Sequence, residues 1–164
     1  MLVRMPAKPP TTAATAALER LGIPFTAHPY RHDPAAPSFG DEAVAALGLP
    51  PEAVFKTLVA VADGELVTAV VPVGRRLDLG ALAAAVGRKR AVLAEPAAAE
   101  RRTGFVVGGI SPVGQRHRLR TVIDASATAL DRVYVSGGRR GFDIGLAPAD
   151  LVAATGGTTA EIAR

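Results

Sequence analysis

One lysine stands where the hydrophobic pattern has no use for it. Lys56 lies inside Val54-Phe-Lys-Thr-Leu-Val-Ala-Val-Ala62, the run with the strongest strand signal in the chain. Alternation puts Val54, Lys56 and Leu58 on one face, so the ammonium points the same way as apolar neighbours. Partial desolvation there would strengthen its pull on an anion or on a carbonyl oxygen gaining charge. The pattern alone leans to a plainer reading, a lysine on an edge strand snorkelling to water along its stem.

Two glycine-rich runs form the second feature, Gly108-Gly-Ile-Ser-Pro-Val-Gly114 and Ser136-Gly-Gly-Arg-Arg-Gly141. Each follows a short apolar stretch and reads as a loop. Without Cβ atoms the backbone can approach a ligand closely, and successive N–H groups can cradle a phosphate or an oxyanion. Neither run is a Walker motif or a dinucleotide fingerprint. Read as structure alone, they are two tight turns between strands.

The remaining polar groups carry less. His28, His32 and Asp33 have a spacing that could place ligands on one face, but Pro29 and Pro34 break any helix there, so no metal is expected. Ser111 and Ser136 lie outside any Gly-x-Ser-x-Gly elbow and have no evident histidine base, which suits turn-capping or ligand-binding hydroxyls. Four basic clusters occur, Arg88-Lys-Arg90, Arg101-Arg102, Arg116-His-Arg-Leu-Arg120 and Arg139-Arg140. Two of them follow the glycine runs directly, so their cations are expected to ring one mouth, a footprint for a phosphate backbone.

The composition narrows the chemistry. The 164 residues include no cysteine, which excludes disulfides, thiolate metal sites and an enzyme-borne thiol nucleophile. Sixteen arginines and three lysines face 15 acids, for a net charge of +4, a mild preference for a polyanion. The length suits one domain with a real core. No apolar stretch reaches the roughly 20 residues of a spanning helix. The N-terminus lacks the apolar core of a signal peptide, so the cytoplasm is the expected location.

The elements that must position these residues can be placed along the chain. Residues 1–10 carry three prolines and read as a flexible extension, leaving one domain over residues 11–164. Helices are expected from Thr12 to Gly22, from Ser38 to Gly48, from Asp78 to Gly87, from Pro96 to Gly104 and from Pro148 to Gly156. Strands are expected over residues 25–30 (at an edge, because of Pro29), 54–62, 66–71, 121–124, 132–136, 142–146 and 159–163. Asp63-Gly64 reads as a hairpin turn. Helices and strands mix without a βαβ rhythm, which favours an α+β fold.

Four segments in order carry a resemblance: Phe39-Gly-Asp-Glu-Ala43, Val54-Phe-Lys-Thr-Leu58, Thr103-Gly-Phe-Val-Val-Gly-Gly-Ile-Ser-Pro112 and Tyr134-Val-Ser-Gly-Gly-Arg-Arg-Gly141. With these the chain resembles the YbaK branch of the YbaK/EbsC family, the Cys-tRNA(Pro) deacylases, over about residues 9–164. The resemblance implies a single α+β domain with a mixed, barrel-like sheet surrounded by helices. It implies trans-editing, the removal of cysteine wrongly attached to proline tRNA, with Cys-tRNA(Cys) as a further substrate. A pocket separates near-isosteric amino acids by only about 1–3 kcal/mol, so a second, hydrolytic check has a physical purpose.

The same resemblance implies roles. Lys56, with Thr57 beside it, matches the essential lysine and would hold the aminoacyl ester or terminal adenosine. Gly108, Gly109, Ile110 and Ser111 match a pocket-lining loop whose amides could stabilise the ester oxygen. Tyr30 and Phe39 match aromatic walls; Ser136, Gly138 and Asp143 match the second glycine run and the strand after it. The family uses no enzyme nucleophile, cofactor or metal: the substrate's own thiol attacks its ester. The implied partners are the aminoacylated end of tRNA(Pro) and, transiently, prolyl-tRNA synthetase. An Ala-tRNA(Pro) deacylase and an inactive tRNA- or synthetase-binding module are the alternatives.

Overall fold

A computed structural model of the chain describes residues 9–164, so the extension expected over residues 1–10 lies almost wholly outside the described residues. The elements run α1 (Ala13–Leu21), β1 (Thr26–Pro29), α2 (Phe39–Leu47), β2 (Phe55–Ala62), β3 (Glu65–Pro72), α3 (Leu79–Ala85), β4 (Ala91–Leu93), α4 (Pro96–Thr103), β5 (Arg120–Asp124), β6 (Val133–Arg139), β7 (Phe142–Leu146), α5 (Pro148–Thr155) and β8 (Thr158–Ala160). Local chemistry sets most of these limits. Thr12 and Thr15 close a capping box at the start of α1, and Ser38 and Asp78 accept the first free N–H groups of α2 and α3. Proline opens α4 and α5, where a missing N–H costs nothing.

The strands form two sheets. One has five strands in the order β4-β2-β3-β5-β8, with β2 antiparallel to β3 and β4, and β5 parallel to β3 and β8. The other is an antiparallel β1-β7-β6 sheet with β1 at the edge, where Pro29 confines it. Alternate residues of β2 serve two cores. Phe55 and Val59 pack with the small sheet (Val133, Val135, Phe142, Ile144), α1 and α5. Ala60 and Ala62, with Leu58 partly covered, pack on the opposite face with Leu82 and Val86 of the α3 region.

Three expectations change. The mixed α+β domain is as read, but the sheet does not close into a barrel. The two sheets are joined by an isolated parallel bridge, Val54↔Tyr134. Beyond it β6 shifts its register against β7 between Ser136 and Arg139, and a bulge of this kind bends the strand and increases its twist. Second, the run Ser136–Gly141 is no loop: its first four residues belong to β6, and only the Arg140-Gly141 turn leaves the sheet. Third, β4 escaped the sequence reading, because three residues carry too little alternation to stand out.

Candidate active site

The site lies where the two sheets fail to meet. Val59 C=O accepts the Ala94 N–H at 2.9 Å, and the next tie on that side of β2 is the bridge at Val54. Between these points β2 has an open edge. Backbone groups of alternate residues point to the same side, so Thr57, two residues from Val59, turns its N–H and C=O toward the gap. The gap opens into a cavity of about 430 Å³, walled by β2, β6, β7, the start of α2, the β4–α4 connection and the first glycine run.

Of the residues singled out in the sequence, Lys56, Thr57, Tyr30, Phe39, Gly108, Ile110, Ser136 and Asp143 line this one cavity. Lys56 is half-buried, pairs across the ladder with the fully buried Val71, and enters none of the ion pairs found among the described residues. Thr57 Oγ1 is buried with no hydrogen-bond partner among the described residues. The apolar walls come from Val54, Leu93, Pro96 and Val107, which sequence reasoning did not assign to a site. No periodic signal marks them, since they come from three separate segments.

The first glycine run divides its labour. Gly108 has φ +88°, and a Cβ there would lie 2.5 Å from the Phe39 ring, so only glycine lets the aromatic wall close on this turn. Gly109, Ser111 and Gly138 do not line the cavity. Gly109 donates its N–H to Val106 C=O at 2.8 Å, and its α-carbon packs on the Arg139 backbone. Ser111 is fully buried and its hydroxyl oxygen accepts the Val113 N–H. Gly138 gives room to Phe105 and Thr12. These three brace the walls.

The electrostatics centre on Asp143. It is 7% exposed, stands opposite Ser136 on β6 and His28 on β1, and burial pushes its carboxyl up to about 7. Tyr30 is pushed up to about 12, first by burial and then by the negative charges of Asp143 and Glu42.

The expected ring of cations is not assembled. Arg116 lies against Gly104, Arg118 donates to Thr155 C=O, and Arg120 bonds Glu65 and Val86 C=O. These arginines follow the glycine run in sequence, but their side chains bond or pack elsewhere and do not line the cavity. Arg140 does reach the wall, 5.3 Å from the Phe39 ring centre. The two histidines also part: His28 bonds Thr26 Oγ1 and lies edge-on to Tyr134, whereas His32 bonds Glu42.

The cavity thus combines an ammonium with no ion-pair partner among the described residues, a glycine turn and an open strand edge within apolar walls. The comparisons agree in class. Residues 33–154 match the aminoacyl-tRNA editing domain, and the chain belongs to that family. Among its relatives is a protein of Enterococcus faecalis named as a Cys-tRNA(Pro)/Cys-tRNA(Cys) deacylase, EbsC, 38% identical over 117 residues that make up 71% of each chain. A crystal structure described as a trans-editing enzyme for prolyl-tRNA synthetase superposes with a TM-score of 0.79 at 28% identity, covering 93% of this chain and 95% of the other. A crystal structure of a hypothetical protein superposes with a TM-score of 0.82 at 25% identity, covering 93% of this chain and all of the other.

Proposed function

We propose that this domain deacylates Cys-tRNA(Pro), and that cleavage uses the substrate's thiol. The sulfur attacks the ester carbonyl carbon, the bond from that carbon to the ribose oxygen breaks, and the thiol proton ends on the freed ribose hydroxyl. The products are uncharged tRNA and a cyclic cysteine thiolactone. Positioning and charge stabilisation supply most of such a rate enhancement, so the cavity needs no protein nucleophile. The Lys56 ammonium attracts the ester oxygen as it becomes anionic, Gly108 and the Thr57 backbone amide face the same space, and Tyr30 and Phe39 enclose the acyl end. The observation that carries this reading is the half-buried Lys56, without an ion-pair partner among the described residues, at the wall of an apolar cavity.

In this reading the enzyme works in the cytoplasm, meets tRNA through its 3′ end, and joins prolyl-tRNA synthetase transiently on the same tRNA. A deacylation panel of Cys-, Ala- and Pro-charged tRNA(Pro) tests it. Cys-tRNA(Pro) is cleared fastest, and Lys56→Ala lowers kcat/KM at least 100-fold with an unchanged circular dichroism spectrum. Full activity in Lys56→Ala refutes the site. Preference for the alanine ester makes the domain an Ala-tRNA(Pro) deacylase, and inertness toward every charged tRNA makes it a binding module.

A further inference from the structure

Helix α2 forms one wall of the cavity, yet it is poorly anchored by apolar packing. Of its nine residues only Ala43 is buried, and Phe39, its first residue, is 38% exposed. Elements with so few buried contacts open at low cost unless something else ties them down. Here polar ties surround Phe39. Glu42, one turn further along α2, bonds His32 Nδ1 at 2.7 Å and accepts the Asp33 N–H at 2.7 Å. The His32 ring stacks on Phe39 with centroids 5.8 Å apart and planes 29° apart. The Arg140 guanidinium stands 5.3 Å from the same ring, held there because its Nε donates to Val107 C=O at 2.9 Å. Gly108, next to Val107, receives the ring edge.

We infer that His32, Glu42 and Arg140 are positioning residues, a clamp that holds the Phe39 ring against Gly108 and so sets the cavity wall for the reacting ester. The inference rests on the proposed deacylation. The clamp joins parts distant in sequence. Tyr30 donates its N–H to Gly141 C=O, so the segment carrying His32 is pinned to the Arg140-Gly141 turn, and that turn is pinned through Arg140 to the first glycine run. His32 also holds the Glu42 carboxyl below its usual range through their hydrogen bond, so the tie is strongest with Glu42 ionised. The second glycine run thus serves the site through the Arg140 it presents to Phe39.

The test uses the full chain carrying Glu42→Ala or Arg140→Ala. A wall that is loose by an ångström leaves the substrate bound but misplaced, so kcat falls about tenfold or more while KM for Cys-tRNA(Pro) changes less than about threefold. Selectivity for the cysteine over the alanine ester falls with it. Glu42→Gln keeps one acceptor oxygen where Glu42 uses two, for His32 and for the Asp33 N–H, and Arg140→Lys retains a cation beside the ring, so each recovers part of the loss. The ring signals of Phe39, assigned among the five phenylalanines with a Phe39→Leu variant, report the wall directly. They shift in both alanine variants while the other four stay in place. An unchanged Phe39 signal, or a loss of activity confined to KM, overturns the clamp. If the wild type leaves Cys-tRNA(Pro) intact, the proposed function fails, and the Phe39 signals still decide whether the clamp exists.

Discussion

Replacing Asp143 by Asn keeps the shape of the side chain and removes its proton equilibrium. In the folded protein the carboxyl titrates near 7, against an ordinary 3.8, because burial penalises its charged form. A folded-state value raised in this way means that the native protein keeps a proton which the unfolded chain has already lost. Stability is therefore greatest below about pH 4 as far as this group is concerned, and declines as pH rises until the folded carboxyl has ionised near 7. Moving the carboxyl from 3.8 to about 7 corresponds to about 4 kcal/mol over the whole window, of which about 2–3 kcal/mol falls between pH 5 and pH 8. Urea unfolding of wild type and Asp143→Asn at half-unit pH steps isolates it, since all other groups cancel in the difference. The variant gains about 2–3 kcal/mol relative to wild type on going from pH 5 to pH 8, equivalent to roughly 5–10 °C in Tm for a domain of this size. Parallel stability profiles for the two proteins would refute the assignment of Asp143 as a buried carboxyl without a compensating cation.

Three further outcomes follow from the geometry. Gly108→Ala places a Cβ 2.5 Å from the Phe39 ring at φ +88°, so it should cost about 1–3 kcal/mol in denaturant unfolding and lower deacylation together with the wall's position. Asp124→Ala removes the acceptor of the Ile162 and Ala163 N–H groups, both at 3.0 Å, and of the Ser126 hydroxyl, and should cost about 3 kcal/mol at pH 7. Burial is the largest single influence on this carboxyl and pushes it up, but its hydrogen bonds together outweigh that and hold it below 3.8. The ionisation-linked part of its contribution is thus present above about pH 4 and is lost as pH falls through the folded value, so the stability gap between wild type and Asp124→Ala narrows in acid. Binding of uncharged tRNA should be weak and should weaken further with salt, because a net charge of +4 allows few phosphate contacts; a tight, salt-insensitive complex would contradict it.

Much of this protein was legible in its sequence because the signals are local. Capping threonines, serine and aspartate, prolines opening α4 and α5, and the Asp63-Gly64 turn each act within a few residues, and the helices and long strands follow from them. Lys56 was visible as a charge that interrupts an apolar alternation. Its plainer reading as an edge-strand lysine could not be separated from a functional one by pattern. That question turned on what faces the strand edge, which is a property of β6 and of the β4–α4 connection.

What only the tertiary structure decided is where the sheets part. Residues 55–59 of β2 pair with β3 on one side, while the other side faces a cavity walled in part by β6, some 80 residues away, and no local propensity reports it. The same long-range geometry sorted the glycines, sending Gly108 to the cavity and Gly109 and Gly138 to the packing around it. It scattered the arginines that sequence order had grouped, and brought His32, Glu42 and Arg140 to one ring from three segments with no shared pattern. Sequence determines the elements and the unusual lysine through forces that act over one or two turns of chain. The cavity exists because two sheets touch at one bridge and then diverge, and that divergence is set by packing between residues far apart in the chain.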